Sequence, residues 1–471
     1  MPIVKPRTLS GFMELLPAPQ QQMEKIMDTL RRTYALYGFT PLDTPLMEAS
    51  EVLLAKGGGE TEKQIYRFQK GDADLSLRFD LTVPLAKYVA LHSHELVFPF
   101  RRYQIGKVYR GERAQRGRFR EFYQADIDII GDGTLSIINE AEIPAIIYRT
   151  FSALGLQNFH IRVNNRKILN GFYSMLDLTE KSGDIMRTVD KLEKIGAAKV
   201  HDILTDDFDI DAKDADAILH FLHISKNSDA VVGVAESMTG NKFDKAETVI
   251  RLLKDPLYYG RNALYDEGVN ELETVVRYLD SFGVPADHFA VDLTIARGLD
   301  YYTGTVYETT LDEYPEIGSV CSGGRYDNLA EYYTDRKLPG VGISIGLTRL
   351  FYILQEKGLF NSDIPTAPAD VLVIPMTDDL APAISLATSF RENGVRVQLY
   401  CEGGKFKKKV GYADRLGVPY AVFMGEDEIR DGVVTCKDMA TGEQTKLPAD
   451  KTWPYIKAEM NRRKSGRLIM G

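Results

Sequence analysis

Between Arg101 and Arg120 eight residues are basic and one, Glu112, is acidic, although the whole chain carries a formal net charge of -9. That overall charge excludes a surface coated uniformly in positive charge, so any affinity for polyanions has to be local. The runs on either side, Tyr103 to Tyr109 and Phe122 to Ile130, read as strands, and Gly111 and Gly117 mark a loop between them. The segment is therefore expected to form a long basic hairpin. Two further basic clusters occur later, Lys405 with Lys407 to Lys409, and Arg462 to Lys464 with Arg467. Charge runs of this kind are commonly solvated faces, and the tail cluster reads equally as an unstructured end.

A chain of 471 residues exceeds the usual single domain, so two or three compact units are expected. No apolar run approaches the roughly 20 residues needed to span a bilayer, and the first residues lack the apolar stretch of a signal peptide. The expectation is a cytoplasmic protein with no membrane association. Cys321, Cys401 and Cys436 are widely spaced with no CxxC pair, which predicts reduced thiols. His92 with His94, and His220 with His223, lack an evident third ligand, so no metal site built from protein side chains is expected.

From Gln20 to Tyr37 apolar residues recur at Met23, Ile26, Met27, Leu30, Tyr34 and Tyr37, the spacing of an amphipathic helix that Gly38 stops. Phe39 to Leu46, with Pro41 and Pro45, reads as extended chain, and Ser50 is placed to cap a new helix. Residues from about 167 to 262 mix acidic and apolar positions in helical periods, the pattern of a helical insertion. Extended character returns at Phe289 to Leu293 and Thr305 to Thr310, and Gly323 and Gly324 precede an apolar run from Val341 to Leu354. Beyond the prolines at 365 and 368, the segments Val371 to Ile374, Val395 to Tyr400 and Ala421 to Met424 alternate with helical stretches such as Ala381 to Asn393. This predicts a separate α/β domain.

Neither a GxxxxGK[ST] loop nor a GxGxxG turn is present, so bound phosphates would have to be held by side chains. Arginine suits that task, because its planar fork stays charged and grips phosphate or carboxylate through two hydrogen bonds. The candidates are Arg110, Arg113, Arg297 and Arg349; for each taken alone, a buried salt bridge is the competing reading.

The hairpin Tyr109-Arg110-Gly111-Glu112-Arg113, continuing through Gly117 to Gln124, resembles motif 2 of the class II aminoacyl-tRNA synthetases. Gly342 to Leu350 is similar to their motif 3, and Tyr37-Gly38-Phe39 through Pro45 to the motif 1 dimer element. The string from Arg297 through Tyr301, Tyr302 and Thr305 to Glu308, extended by Ser322 to Asp327, resembles the histidine-specific signature of the histidyl-tRNA synthetase family. The resemblance covers essentially the whole chain. It implies an α/β (α+β) fold, with an antiparallel-sheet catalytic core over residues 1–362 that carries the helical insertion. A C-terminal α/β anticodon-binding domain over 369–471 would follow.

It also implies ATP as substrate with Mg2+, and L-histidine, tRNA(His) and a second copy of the chain as partners. In that family pattern Arg110 clamps the histidine carboxylate and the ATP α-phosphate, Glu112 holds the adenine end and Phe122 stacks beneath the base. Arg349 binds the γ-phosphate and Arg297 stands by the α-phosphate and the histidine. Asp80, Leu81, Thr82 and Gln124 surround the histidine amino group. Asp128 and Tyr302 bond the imidazole, with Tyr301 and Tyr326 completing the wall. Arg113, Arg116, Lys407 and Lys408 reach the tRNA. Some members of the family have glutamate where this chain has Asp80 and Asp128.

Other readings remain open from the residues alone. The tyrosines could be ordinary core aromatics. A non-catalytic, histidine-sensing synthetase-like subunit of histidine biosynthesis is the main functional alternative. A class II enzyme for threonine, proline or glycine is another.

Overall fold

The computed structural model describes residues 3–55, 59–225, 245–296, 298, 302–359 and 366–467, with backbone alone at 59–61 and 464–467. The chain divides into two compact units, one of Met1–Glu14 and Ile26–Leu359, the other of Leu15–Lys25 and Phe360–Gly471. Among the described residues no helix is long and apolar enough to cross a membrane.

In chain order the strands of the first unit are β1 (Thr40–Pro41), β2 (Met47–Ala49), β3 (Arg67–Lys70), β4 (Ala73–Leu77), β5 (Phe100–Tyr109) and β6 (Glu121–Ile130). They continue with β7 (Phe159–Asn165), β8 (Phe289–Val291), β9 (Thr305–Leu311), β10 (Cys321–Tyr326) and β11 (Gly340–Ile345). Eight of them form one sheet in the order β1-β5-β6-β11-β10-β9-β7-β8, antiparallel from β5 through to β7, while β2, β4 and β3 form a small separate sheet. The expected basic hairpin is the β5–β6 pair, with Tyr109 opposite Glu121. Its loop turns at Gly117, whose φ of +71° lies in the left-handed region that glycine enters without steric cost.

Strand alternation gives this sheet two unlike faces. On β6, Ala125, Ile127 and Ile129 are fully buried on one face. Their cross-strand partners include Tyr103 on β5 and Ile343 on β11. On that same face Tyr307 of β9 donates to the carbonyl of Glu140 in helix Ile138–Ala153 at 2.6 Å, which seats the helix there. The helix buries Ile143, Ile146, Ile147 and Phe151, an apolar stripe with about 1.5–3 kcal/mol behind each large side chain. The other face carries Phe122, Gln124, Asp126 and Asp128, and becomes the floor of the site.

The predicted first helix spans Pro17–Leu36, buries Ile26, Met27, Leu30 and Tyr34, and ends before Gly38, whose φ is +75°. Ser50 corrects an expectation. It is the first residue of helix Ser50–Leu53 and makes no capping bond. Its hydroxyl instead meets Asp74 and Ser76, both at 2.8 Å, because β4 brings those partners closer than the helix amides. The apolar run from Val341 to Leu354 is two elements, β11 and helix Leu347–Glu356, parted at Gly346; periodicity alone does not separate a buried strand from a buried helix.

The insertion is helical where described, including Arg166–Met175, Ser182–Val189, Ala212–Leu222 and Lys245–Leu253. The long helix Ala263–Ser281 closes it, packing so tightly on Arg166–Met175 that a Cβ on Gly171 would lie 2.5 Å from the Tyr265 amide nitrogen.

The second unit contains β12 (Val371–Pro375), β13 (Val397–Leu399), β14 (Tyr420–Met424), β15 (Val433–Asp438) and β16 (Gln444–Pro448) in the order β13-β12-β14-β15-β16. The first three run parallel, as the α/β expectation required, and β15–β16 adds an antiparallel edge. Arg462 and Arg463 lie within helix Ala449–Arg467, so the unstructured reading of the tail does not hold there. Arg463 pairs with Asp438 and lies over the Tyr420 ring.

Candidate active site

A cleft of about 320 Å³ opens on the polar face of the large sheet, lined by Arg110, Glu112, Arg118, Phe122, Gln124 and Arg349 among others. Arg110 directly follows β5. Its guanidinium lies 4.4 Å from the centre of the Phe79 ring and 5.2 Å from that of Phe122, and its Nε donates to the Phe79 carbonyl at 3.2 Å. Two aromatic faces and one carbonyl thus hold the fork in place. Burial pulls its pKa down while Asp80, Glu112 and Asp126 pull it up; a guanidinium remains charged regardless.

Arg349 projects from the first turn of helix Leu347–Glu356 and donates to the carbonyls of Ser319, at 3.0 Å, and Ile317. Glu112 faces Arg118 at 3.6 Å. Arg113 is exposed, and Arg116 is tied to Glu356, its Nε 3.2 Å from Oε2. So exposed an ion pair contributes at most about 1 kcal/mol and is readily exchanged for another anion.

Beside the cleft, one row across the sheet reads Arg102, Asp128, Gly342, Gly324 on β5, β6, β11 and β10. Asp128 is buried; it pairs with Arg102 at 2.7 Å and accepts from the Tyr326 hydroxyl at 2.6 Å. Burial pushes its carboxyl up to about 6, against the pull of Arg102 and of the Tyr326 hydroxyl. Glycine is required along this row. A Cβ on Gly342 would lie 2.2 Å from Asp128 Oδ1, and one on Gly324 would lie 2.6 Å from the Thr305 carbonyl oxygen. The Tyr302 ring lies over Gly324, and burial together with Asp128 and Asp126 raises the pKa of its hydroxyl, which stays protonated. The Tyr326 hydroxyl is thus bonded to Asp128, and the Tyr302 hydroxyl is buried within electrostatic reach of the same carboxylate.

Asp80 spends Oδ1 on the amides of Thr82 and Val83, at 3.1 and 2.9 Å, capping helix Thr82–His92. Leu81 has its side chain fully buried and offers its carbonyl to Arg102 at 3.2 Å, while Thr82 is half-buried. Gln124 donates through Nε2 to Ser344 at 2.7 Å. Arg297 and Tyr301 lie outside the described residues. In the second unit Lys407 and Lys408 are exposed on the first turn of helix Phe406–Leu416, and Lys409 donates to the Pro375 carbonyl at 2.7 Å.

Three residues of the site were not among the sequence candidates: the buried Arg102 and Asp126, and the half-buried Ser344. For Asp126 the signal was present in Gln124-Ala125-Asp126-Ile127-Asp128-Ile129, strict polar and apolar alternation that puts it on one face of a strand with Gln124 and Asp128. Among the described residues no group of three His, Cys, Asp or Glu is placed to hold a metal ion. His92 pairs with Glu95 at 3.0 Å, and Nδ1 of His223 lies 2.6 Å from the Leu219 carbonyl.

Residues 11–350 match the family model described as histidyl-tRNA synthetase, and residues 370–459 match an anticodon binding domain. A histidine--tRNA ligase of Clostridium tetani is 54% identical over 455 residues, covering 97% of this chain and 99% of that protein. The crystal structure of histidyl-tRNA synthetase from Nostoc sp. PCC 7120 superposes with a TM-score of 0.82 at 39% identity, covering 97% of this chain and 100% of that one. An ATP phosphoribosyltransferase regulatory subunit/histidyl-tRNA synthetase from Bacillus halodurans shares the fold, with a TM-score of 0.69 at 20% identity over 89% of this chain and 98% of that one. With a family match over residues 11–350 and likeness of this extent across nearly the whole chain, the chain belongs to the histidyl-tRNA synthetase family.

Proposed function

We propose that the chain activates L-histidine with ATP and transfers it to tRNA(His). The observation that carries this reading is the junction of two sites on one sheet face: a cleft lined by Arg110 and Arg349, and the buried Asp128–Tyr326 pair beside it. In the first step an oxygen of the histidine carboxylate attacks the α-phosphorus in line, the bond to the bridging oxygen breaks and pyrophosphate leaves. In the second, a terminal ribose hydroxyl of the tRNA attacks the acyl carbon and AMP departs. No protein nucleophile is needed. The protein supplies position and positive charge where negative charge builds up.

Arg110 bridges the histidine carboxylate and the α-phosphate, Glu112 and Phe122 hold the adenine, and Arg349 exchanges its carbonyl partners for the γ-phosphate. Asp80, Thr82 and Gln124 surround the ammonium. Leu81 contributes through its backbone, since its side chain is buried. Asp128 and Tyr302 hold the imidazole, with Tyr326 fixing the acid. Arg297, by the α-phosphate, and Tyr301, in the imidazole wall, belong to the same proposal. Magnesium carried by the triphosphate would supply further positive charge to the departing pyrophosphate. Residues 1–362 form the catalytic domain. In the anticodon-binding domain, 369–471, Lys407 and Lys408 meet RNA phosphates, as Arg113 and Arg116 do at the acceptor end. The helix Pro17–Leu36 with β1 supplies the homodimer contact, and light scattering at micromolar concentration is expected to return twice the chain mass.

Pyrophosphate–ATP exchange with single amino acids tests the assignment. L-Histidine alone is expected to drive it. Exchange driven instead by threonine, proline or glycine would move the chain to another class II specificity. Histidine binding without any exchange would favour the regulatory reading.

A further inference from the structure

We propose that Ser344 and Asp126 are positioning residues that set which end of the Gln124 carboxamide meets the substrate, so that an acceptor and not a donor faces the histidine ammonium. This rests on the reading that Gln124 receives that ammonium.

The geometry is a polar cluster across β6 and β11, with one hydrogen bond between the strands from Gln124 to Ser344 and Asp126 opposite that serine. Asp126 stands opposite Ser344 in the strand register and is buried, and the Ser344 hydroxyl helps to draw its carboxyl down. A hydroxyl has one proton to give. Once it is committed to the carboxylate, the oxygen of Ser344 can only accept. The donor it meets is Nε2 of Gln124, at 2.7 Å. The carboxamide is thereby turned with Oε1 away from Ser344. That atom is buried and has no hydrogen-bond partner among the described residues, in a side chain that lines the cleft. An orphaned buried carbonyl oxygen is unfavourable until a donor arrives. An ammonium group is such a donor, and the opposite rotamer would set two N–H groups against it.

The surroundings favour this arrangement. Gln104, the neighbour of Asp126 on β5, gives its Nε2 to Asp43 and Thr44, at 2.9 and 3.2 Å, and so is engaged elsewhere. Burial raises the Asp126 carboxyl to about 7; Arg102 and Ser344 draw it down, Asp128 and Asp80 push it up. An ammonium entering the cleft favours the ionised form, which can only accept.

The test compares L-histidine with imidazole-4-propionate, the same molecule without its amino group, by calorimetric titration of the full-length protein. Wild type should prefer histidine. In Ser344→Ala the preference should shrink about tenfold, through weaker histidine binding, while the des-amino ligand stays within about twofold. Asp126→Asn, which keeps the volume, should shift in the same direction. Binding of the des-amino ligand reports that each variant is folded. Equal weakening of both ligands, or an unchanged preference in both variants, would overturn the proposal. Wild type with no preference for the amino group would instead remove the Gln124 role on which it rests.

Discussion

Arg110→Ala is expected to lower histidine-dependent pyrophosphate exchange by about a thousandfold, the scale at which removing one preorganised charge-stabilising donor acts. Arg110 is held by Phe79, Phe122 and the Phe79 carbonyl before any substrate arrives, so little reorganisation is left for the reaction itself. The effect should fall mainly on turnover, because charge on the α-phosphate grows towards the transition state while histidine is held largely elsewhere. Arg110→Lys should recover only part of the loss, since an ammonium keeps the charge and forfeits the two-pronged grip. Steady-state exchange kinetics with histidine titration separate these terms. An alanine variant within tenfold of wild type would remove Arg110 from the chemistry.

Asp128→Ala should act on stability and specificity together. Arg102 is fully buried and its partner at 2.7 Å is this carboxylate. Removing one member of a buried pair leaves the other uncompensated, at a cost of about 3–5 kcal/mol. In the proposed function the same change removes the acceptor for an imidazole N–H. Sites built around such a bond discriminate strongly, so kcat/KM for histidine should fall about a thousandfold or more. Asp128→Asn keeps the volume and an oxygen for Tyr326, and is expected to melt closer to wild type while still failing to select histidine. Thermal unfolding of the ligand-free variants and exchange assays across several amino acids measure the two effects separately. If Asp128→Ala kept its histidine KM within threefold of wild type, the imidazole assignment would fail.

Much of the architecture was legible in the residues. The strands flanking the basic loop, the helical character of the insertion and the parallel strands of the second unit all emerged from periodicity, turn residues and charge. Ser50 shows where that reasoning stops. A serine before an apolar run is a good capping residue, yet tertiary pairing offered its hydroxyl Asp74 and Ser76 instead. The small β2-β4-β3 sheet and the β15–β16 edge were not foreseen, being built of short strands of three to six residues.

The sequence by itself determined which chemical groups are on hand and which local elements carry them: a guanidinium-rich hairpin, a tyrosine-rich signature, glycines at close quarters and an α/β tail. Neighbouring residues suffice for this, because turn propensity, periodicity and charge act over a few positions. Only the tertiary structure decided which groups share a site. Gln124 and Ser344 lie 220 residues apart and touch at 2.7 Å because β6 and β11 pair in one register. A slip of one residue would send Asp126 and Asp128 to the apolar face and Ile127 to the cleft. That register is held by the buried face and its helix, and from it come the Arg102–Asp128–Tyr326 constellation and the bond from Gln124 to Ser344.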